Sequence, residues 1–157
     1  MTEAATADET ENDSRSYPAR PFVGVGVVVW HQGRVLLIRR GKAPRKGQWS
    51  LPGGAQHLGE TVAEAARREV REEAGIDIRV VGLLDVIDLI ERDEDGRVRH
   101  HYTLIDLVAE AMGDSLTAGD DAAEATWASP ADLGRYDLWD ETARIIALGA
   151  ERLGIAS

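Results

Sequence analysis

The chain contains no cysteine, which excludes disulfides, thiolate chemistry and cysteine-based zinc sites and fits a reducing compartment. It has no apolar run long enough to span a bilayer and no apolar N-terminal signal segment, so a cytoplasmic protein with no membrane partner is expected. Positive charge is in short supply: 18 Lys and Arg against 28 Asp and Glu leave a formal net charge of -10. Such a field repels polyanions, which argues against a nucleic-acid partner. Internal repeats are absent as well. The four tryptophans lack the regular spacing of a base-stacking platform, so packing is their expected role. What is present, 157 residues, suffices for one core and leaves no second domain.

Residues 1–16, MTEAATADETENDSRS, are polar and acidic and read as a disordered tail ahead of a domain over residues 17–157. Phe22 to Trp30 is rich in β-branched residues, and Arg34 to Arg39 follows after a short connection, which predicts two paired strands. Gly24 and Gly26 share one face of the first of these, leaving room either for a ligand or for a packed helix. They are not a dinucleotide fingerprint, because strand-like residues follow and no helix opens there. Asp77 to Leu89 and Arg97 to Ala109 read as long strands joined at Asp93 to Gly96, whose Asp-Gly pair signals a hairpin. His100 and His101 are adjacent, so a strand sends them to opposite faces and they cannot pair on one metal. A short strand is expected over Ala125 to Ala128. The last helix spans Asp140 to Leu153, with Ala143, Ile146, Ala147, Ala150 and Leu153 as its core-facing stripe.

One segment breaks the ordinary pattern. From Thr61 to Gly75, a Thr-x-x-Glu capping box at Thr61 and Glu64 starts a helix near Val62, and Gly75 is suited to end it. At about 100° per residue, Val62, Ala65, Ala66 and Val70 make one small-residue stripe. Glu69 and Glu73 fall in the middle of that stripe, with Glu72 on its shoulder, where an amphipathic helix does not normally carry acids. Converging carboxylates repel one another, and burial raises the cost. A hard divalent cation such as Mg2+ is the simplest compensation. A solvated, salt-bridged helix is the competing reading of the same run. The loop in front, Trp49 to Gly54, ends in paired glycines that let backbone atoms approach a ligand closely.

Gly54, Glu60, Arg68-Glu69, Val70, Glu72-Glu73, Gly75 and Ile76 together resemble a complete Nudix box. Seven fixed identities at ~7% each, with two apolar positions, coincide by chance on the order of once in 10⁹ placements. The preceding Leu-Pro-Gly-Gly is similar to the same family. The resemblance implies an α/β fold, an α/β/α sandwich whose mixed sheet is flanked by helices. It implies metal-dependent hydrolysis of the diphosphate bond in a small-molecule nucleotide substrate, with Mg2+ or Mn2+ as cofactor. Glu69, Glu72 and Glu73, with the Gly53 carbonyl, are the expected metal ligands. Arg68 is expected to orient a metal-binding glutamate and to contribute positive potential, and Glu60 to brace the loop or bind an outer metal. Arg40 and Gly54 are the expected substrate contacts, Arg40 lying in the basic run Arg39 to Lys46. His57 occupies a free position in the box and is expected to shape the loop. Asp120, Asp121 and Glu124, before the short strand, are candidates for an additional acid or for an ordinary acidic turn.

Within the family the segment from His101 to Trp127 looks like short ADP-ribose pyrophosphatases, which implies AMP and ribose 5-phosphate as products. It departs from them in having no proline between Pro52 and Pro130. A nucleoside triphosphate pyrophosphohydrolase uses the same metal helix and is the alternative. A non-catalytic nucleotide sensor is a third reading, opposed by the full set of box acids and by the lack of a helix-turn-helix or basic domain. The resemblance also admits a homodimer.

Overall fold

The computed structural model describes residues 15–42, 45–119 and 121–155. Most of the expected acidic tail, residues 1–14, and the candidate acid Asp120 therefore lie outside the described residues. In chain order the elements are β1 Phe22–His31, β2 Arg34–Arg40, β3 Trp49–Ser50, β4 Gly53–Ala55, α1 Val62–Ala74, β5 Ile78–Arg92, β6 Val98–Ala111 and β7 Ala122–Ala128. A 3-10 turn over Pro130–Tyr136 and the helix α2, Asp140–Leu153, complete the fold. The glycine segment expected as loop is thus partly strand.

The strands form one mixed sheet in the order β3-β2-β1-β6-β5, with β4 paired to β1 and β7 to β2. β1 runs parallel to β6, from Phe22 opposite Tyr102 to Trp30 opposite Glu110. The other pairs are antiparallel, including the β5–β6 hairpin closed by Asp93 to Gly96. β1 divides its other edge: its last residues pair with β2, whereas Gly24 to Gly26 pair with Gly53 to Ala55 of β4. That split carries the paired glycines alongside the first strand and in front of α1.

Helices cover both faces, which is the expected sandwich. Val25, Val27, Val29, Leu36, Ile38 and Leu107 pack against Ala65, Ala66, Val70 and Ala74 of α1. The opposite residues Val28, Trp30, Val35, Leu37 and Val108 pack against Ile145, Ile146 and Ala150 of α2. Alternation along each strand feeds the two layers in turn. The α2 stripe is rotated from the expected one. Ile145, Ile146, Gly149 and Ala150 are buried, while Ala143 and Ala147 are exposed. The larger Ile145 takes the inward place, and at Gly149 the helix backbone presses on the sheet: a Cβ there would stand 3.0 Å from Val28 and 3.1 Å from Trp30.

α1 begins and ends as its local residues dictate. The Glu64 N–H donates to Thr61 Oγ1 at 3.0 Å, Glu64 reaches back to the Thr61 N–H, and Gly75 closes the helix in the left-handed conformation at φ 71°. Thr61→Ala should lower unfolding free energy by about 1 kcal/mol. Urea denaturation measures it, and an unchanged midpoint would show that the cap contributes nothing.

Candidate active site

Arg68 organises the ground in front of α1. Its Nε donates to Glu60 Oε2 at 2.6 Å and its Nη2 to Glu60 Oε1 at 3.0 Å, a two-pronged pairing. The same guanidinium reaches Glu69 Oε1 at 2.8 Å, Glu72 Oε2 at 3.3 Å and the Ala55 carbonyl at 3.0 Å. Glu60 also accepts the His57 N–H at 2.9 Å, so His57 shapes the loop through its backbone while its side chain is exposed. The Arg68 hydrogen bonds, then that of His57, hold the Glu60 carboxyl down at about 2. Between the two roles expected of Glu60, this geometry is that of a loop brace.

Behind Arg68, Glu69 and Glu73 lie side by side. Burial, then the hydrogen bond and charge of Glu69, push the Glu73 carboxyl well above the ordinary carboxylate range, opposed by the Gly53 N–H and Arg40. Gly53 donates to Glu73 Oε1 at 3.2 Å. The two glycines are required by contact. A Cβ on Gly53 would stand 2.1 Å from the Val25 carbonyl oxygen, and one on Gly54 would stand 2.4 Å from Glu69 Oε1. Glu72 is half-exposed and turned to Arg68. The three acids therefore do not converge equally: two form a partly buried pair, and the third stands at its edge because its helical angle carries it to the solvent side. Among the described residues no three His, Cys, Asp or Glu side chains are already gathered as a cation cluster. The donor chemistry nevertheless fits a hard divalent ion. Two neighbouring carboxylates, one of them kept from ionising by the other and by burial, are what such an ion relieves.

A family model for the NUDIX domain matches residues 20–148. The chain belongs to the Nudix hydrolase family. It is 41% identical over 105 residues to an ADP-ribose pyrophosphatase of Methanocaldococcus jannaschii, an alignment that covers 67% of this chain and 60% of the relative. Over 134 residues it is 35% identical to the nucleoside triphosphatase NudI of Salmonella agona, covering 77% of this chain and 91% of that protein. Among solved structures, a MutT Nudix hydrolase from Burkholderia pseudomallei superposes with a TM-score of 0.70 at 31% identity, covering 82% of this chain and 98% of that one. Coverage of the curated relatives is uneven: the chain spans 60% of the archaeal pyrophosphatase and 91% of NudI.

In this Nudix domain a cavity of about 540 Å³ opens on the face of the sheet that carries α2. Gly53 and Gly54 form part of its wall while receiving Glu73 and Glu69 from the α1 side. The paired glycines thus separate carboxylates from cavity by the thickness of one bare strand. Arg40 lines the same cavity and also bears electrostatically on Glu73. Arg15, Arg45 and Arg99 line it too, supplying local positive charge that the acidic chain otherwise lacks. His100 lines the cavity and contacts Glu91 at 2.7 Å.

The acidic candidates before β7 sit differently. Asp121 pairs with Lys42 at 3.0 Å and Glu124 with Arg39 at 2.6 Å, both pairs exposed. Their segment nevertheless touches the box helix: the Gly119 N–H donates to the Glu73 carbonyl at 3.2 Å and the Thr117 N–H to the Ala74 carbonyl at 2.9 Å. The space left by Gly24 and Gly26 is filled from β6 and not by the packed helix that was the alternative to a ligand. They line the cavity, and each makes room for a side chain of the parallel strand: Cβ atoms there would stand 2.9 Å from Leu104 and 2.4 Å from Asp106 Oδ1. Asp106 is a cavity residue that strand alternation alone does not flag. The signal for it is an acid sharing the Leu104 and Val108 face of β6 opposite paired glycines.

Proposed function

We propose that this chain hydrolyses the diphosphate bond of a nucleoside diphosphate derivative with a divalent cation, Mg2+ or Mn2+, and that ADP-ribose, split to AMP and ribose 5-phosphate, is its substrate. The observation that carries the reading is the partly buried Glu69–Glu73 pair set against Gly53 and Gly54 at the wall of a cavity that also holds Arg40. Glu69, Glu73 and the edge residue Glu72 are the carboxylates that would hold the cation, with the Gly53 carbonyl as a backbone ligand. When bound there, the cation supplies charge neutralisation of the phosphates and acidifies the attacking water. Arg68 fixes Glu69 and Glu60 by direct hydrogen bonds, so the carboxylates are pre-positioned. Arg40 contributes positive potential toward the phosphates, and Gly54 lets them approach the backbone. The phosphorus–oxygen anhydride bond breaks as water adds to phosphorus, and one phosphate leaves on each product. Asp121 and Glu124, released from Lys42 and Arg39, are the reserve acids for that water.

The identity shared with the archaeal ADP-ribose pyrophosphatase favours ADP-ribose. The near-full coverage of NudI favours the second reading, a nucleoside triphosphate pyrophosphohydrolase using the same helix. A phosphate-release screen decides between them, run with and without Mg2+ and coupled to a phosphatase where needed. Its substrates are ADP-ribose, sugar nucleotides, dinucleoside polyphosphates and nucleoside triphosphates. Mg2+-dependent formation of AMP from ADP-ribose above all other substrates supports the first reading, and pyrophosphate release from triphosphates supports the second. Binding of ADP-ribose with no turnover of any substrate would reject both in favour of a nucleotide sensor.

A further inference from the structure

The α2 end of the cavity has a chemistry of its own. Asp106 is only 7% exposed, yet its carboxyl lines the cavity and no hydrogen bond from any described residue reaches it. Its charged surroundings are Asp85 on β5 and Glu141 and Arg144 on α2. Arg144 is already committed, donating to Asp85 at 2.9 Å and to Glu141 at 2.8 Å. The sealed unpaired atoms among the described residues are Trp30 Nε1 and Arg39 Nε and not the Asp106 oxygens, so this acceptor is open to a partner that enters the cavity. The side chain is given its space by Gly26, the residue opposite it on β1. At the start of α2, Trp139 lines the same cavity and leaves 43% of its surface exposed, while Leu104 and Ile145 make the wall apolar. The complement of this end is a flat, apolar-faced group with an N–H donor on its edge.

We infer that Asp106 is a specificity-determining residue that accepts a hydrogen bond from the amino or amide edge of a nucleobase lying against Trp139. The inference rests on the hydrolase reading above, in which the diphosphate of the same nucleotide lies at Gly53 and Gly54. A cavity of about 540 Å³ falls in the range of small-molecule sites. Burial, then the Asp85 charge, push the Asp106 carboxyl up to about 6, with Arg144 pulling it down and Glu141 adding to the rise. Above that pH the group is ionised and accepts only.

Calorimetric binding at pH 8 tests this without depending on turnover. The probes are AMP, CMP, GMP and purine riboside 5′-monophosphate, whose base has no N–H donor, and the proteins are wild type, Asp106→Asn and Asp106→Leu. Wild type should bind at least one amino-bearing nucleotide about tenfold or more tightly than purine riboside monophosphate. In Asp106→Leu that ratio should fall to near one. Asp106→Asn, of the same shape, should lower it at least ~3-fold, and it decides the matter if the leucine variant fails a thermal-unfolding check. A wild-type ratio near one, or the same ratio in the variants, overturns the inference. A parallel phosphate-release assay on wild type separates the causes. Turnover with no base preference overturns the role of Asp106 alone, whereas no turnover of any nucleotide overturns the hydrolase reading and this inference with it.

Discussion

Glu73→Gln is expected to lower the proposed hydrolysis about 10²–10³-fold, the loss typical when one preorganised electrostatic group is removed from a site, while leaving the fold at least as stable as wild type. The two effects separate because they come from different properties of one side chain. Glutamine has the shape of glutamate and still offers an oxygen to the Gly53 N–H, so the contact with Gly53 is retained. What it lacks is the ability to ionise. The folded Glu73 carboxyl is raised above its ordinary value of 4.5 by burial and by Glu69. Its contribution to stability is therefore fully present below that value and is lost as pH rises through the raised one. The variant has no such loss, so its melting temperature should match or exceed that of wild type at pH 7 to 8. Steady-state kinetics in Mg2+ together with thermal melts across pH measure both arms. Unchanged Mg2+-dependent activity in the variant would remove Glu73 from the ligand set, and a collapsed fold would show that its hydrogen bonds rather than its charge matter most.

The parts of this molecule that were legible in the sequence are those governed by neighbours along the chain. The limits of α1 follow from Thr61, Glu64 and Gly75, each acting within one turn. The inward position of Glu69 and Glu73 and the outer position of Glu72 follow from helical angle alone. The β5–β6 hairpin follows from the Asp-Gly turn. The pairing of β1 with β6 has no such local signature, since its partners lie about 80 positions apart in the chain. That pairing sets Asp106 over Gly26, which is why the acid end of the cavity was hidden while the glycine pair was visible. The rotation of α2 has a similar origin. Ala143 and Ala147 lie at helical spacings from the core residues Ile146 and Ala150, whereas Ile145 lies at that spacing from Gly149, and only the close approach of Gly149 to Val28 and Trp30 selects the Ile145 side. Asp121 and Glu124 are legible as an acidic cluster. Their cross-strand partners Lys42 and Arg39 become apparent only once β7 pairs with β2.

Arg68→Met should lower activity about 10- to 100-fold, the usual cost of losing a residue that orients a ligand-bearing side chain, and should also lower the melting temperature. One guanidinium joins the loop residue Glu60, the helix residues Glu69 and Glu72, and the Ala55 carbonyl of β4, so the charge-bearing parts of the site lose their common tie together. Methionine keeps most of the aliphatic volume, so the loss reports the fork of donors rather than a cavity. The pH dependence identifies the partner responsible. In the folded chain Glu60 is held near 2, below its ordinary value of 4.5. Its pairing therefore stabilises above 4.5 and is lost as pH falls toward 2. With Arg68 gone the Glu60 carboxyl returns toward its ordinary value, with only the His57 N–H left to hold it down. Melts of the variant should then change less than those of wild type between pH 4.5 and 2, and the gap between the two proteins should narrow at the acid end. Arg68→Lys keeps the charge but not the two-pronged geometry, and should recover only part of either loss. Equal melting curves for Arg68→Met and wild type over that range would show that the Glu60 brace carries no stability, and full recovery of activity in Arg68→Lys would reduce the role of Arg68 to its charge.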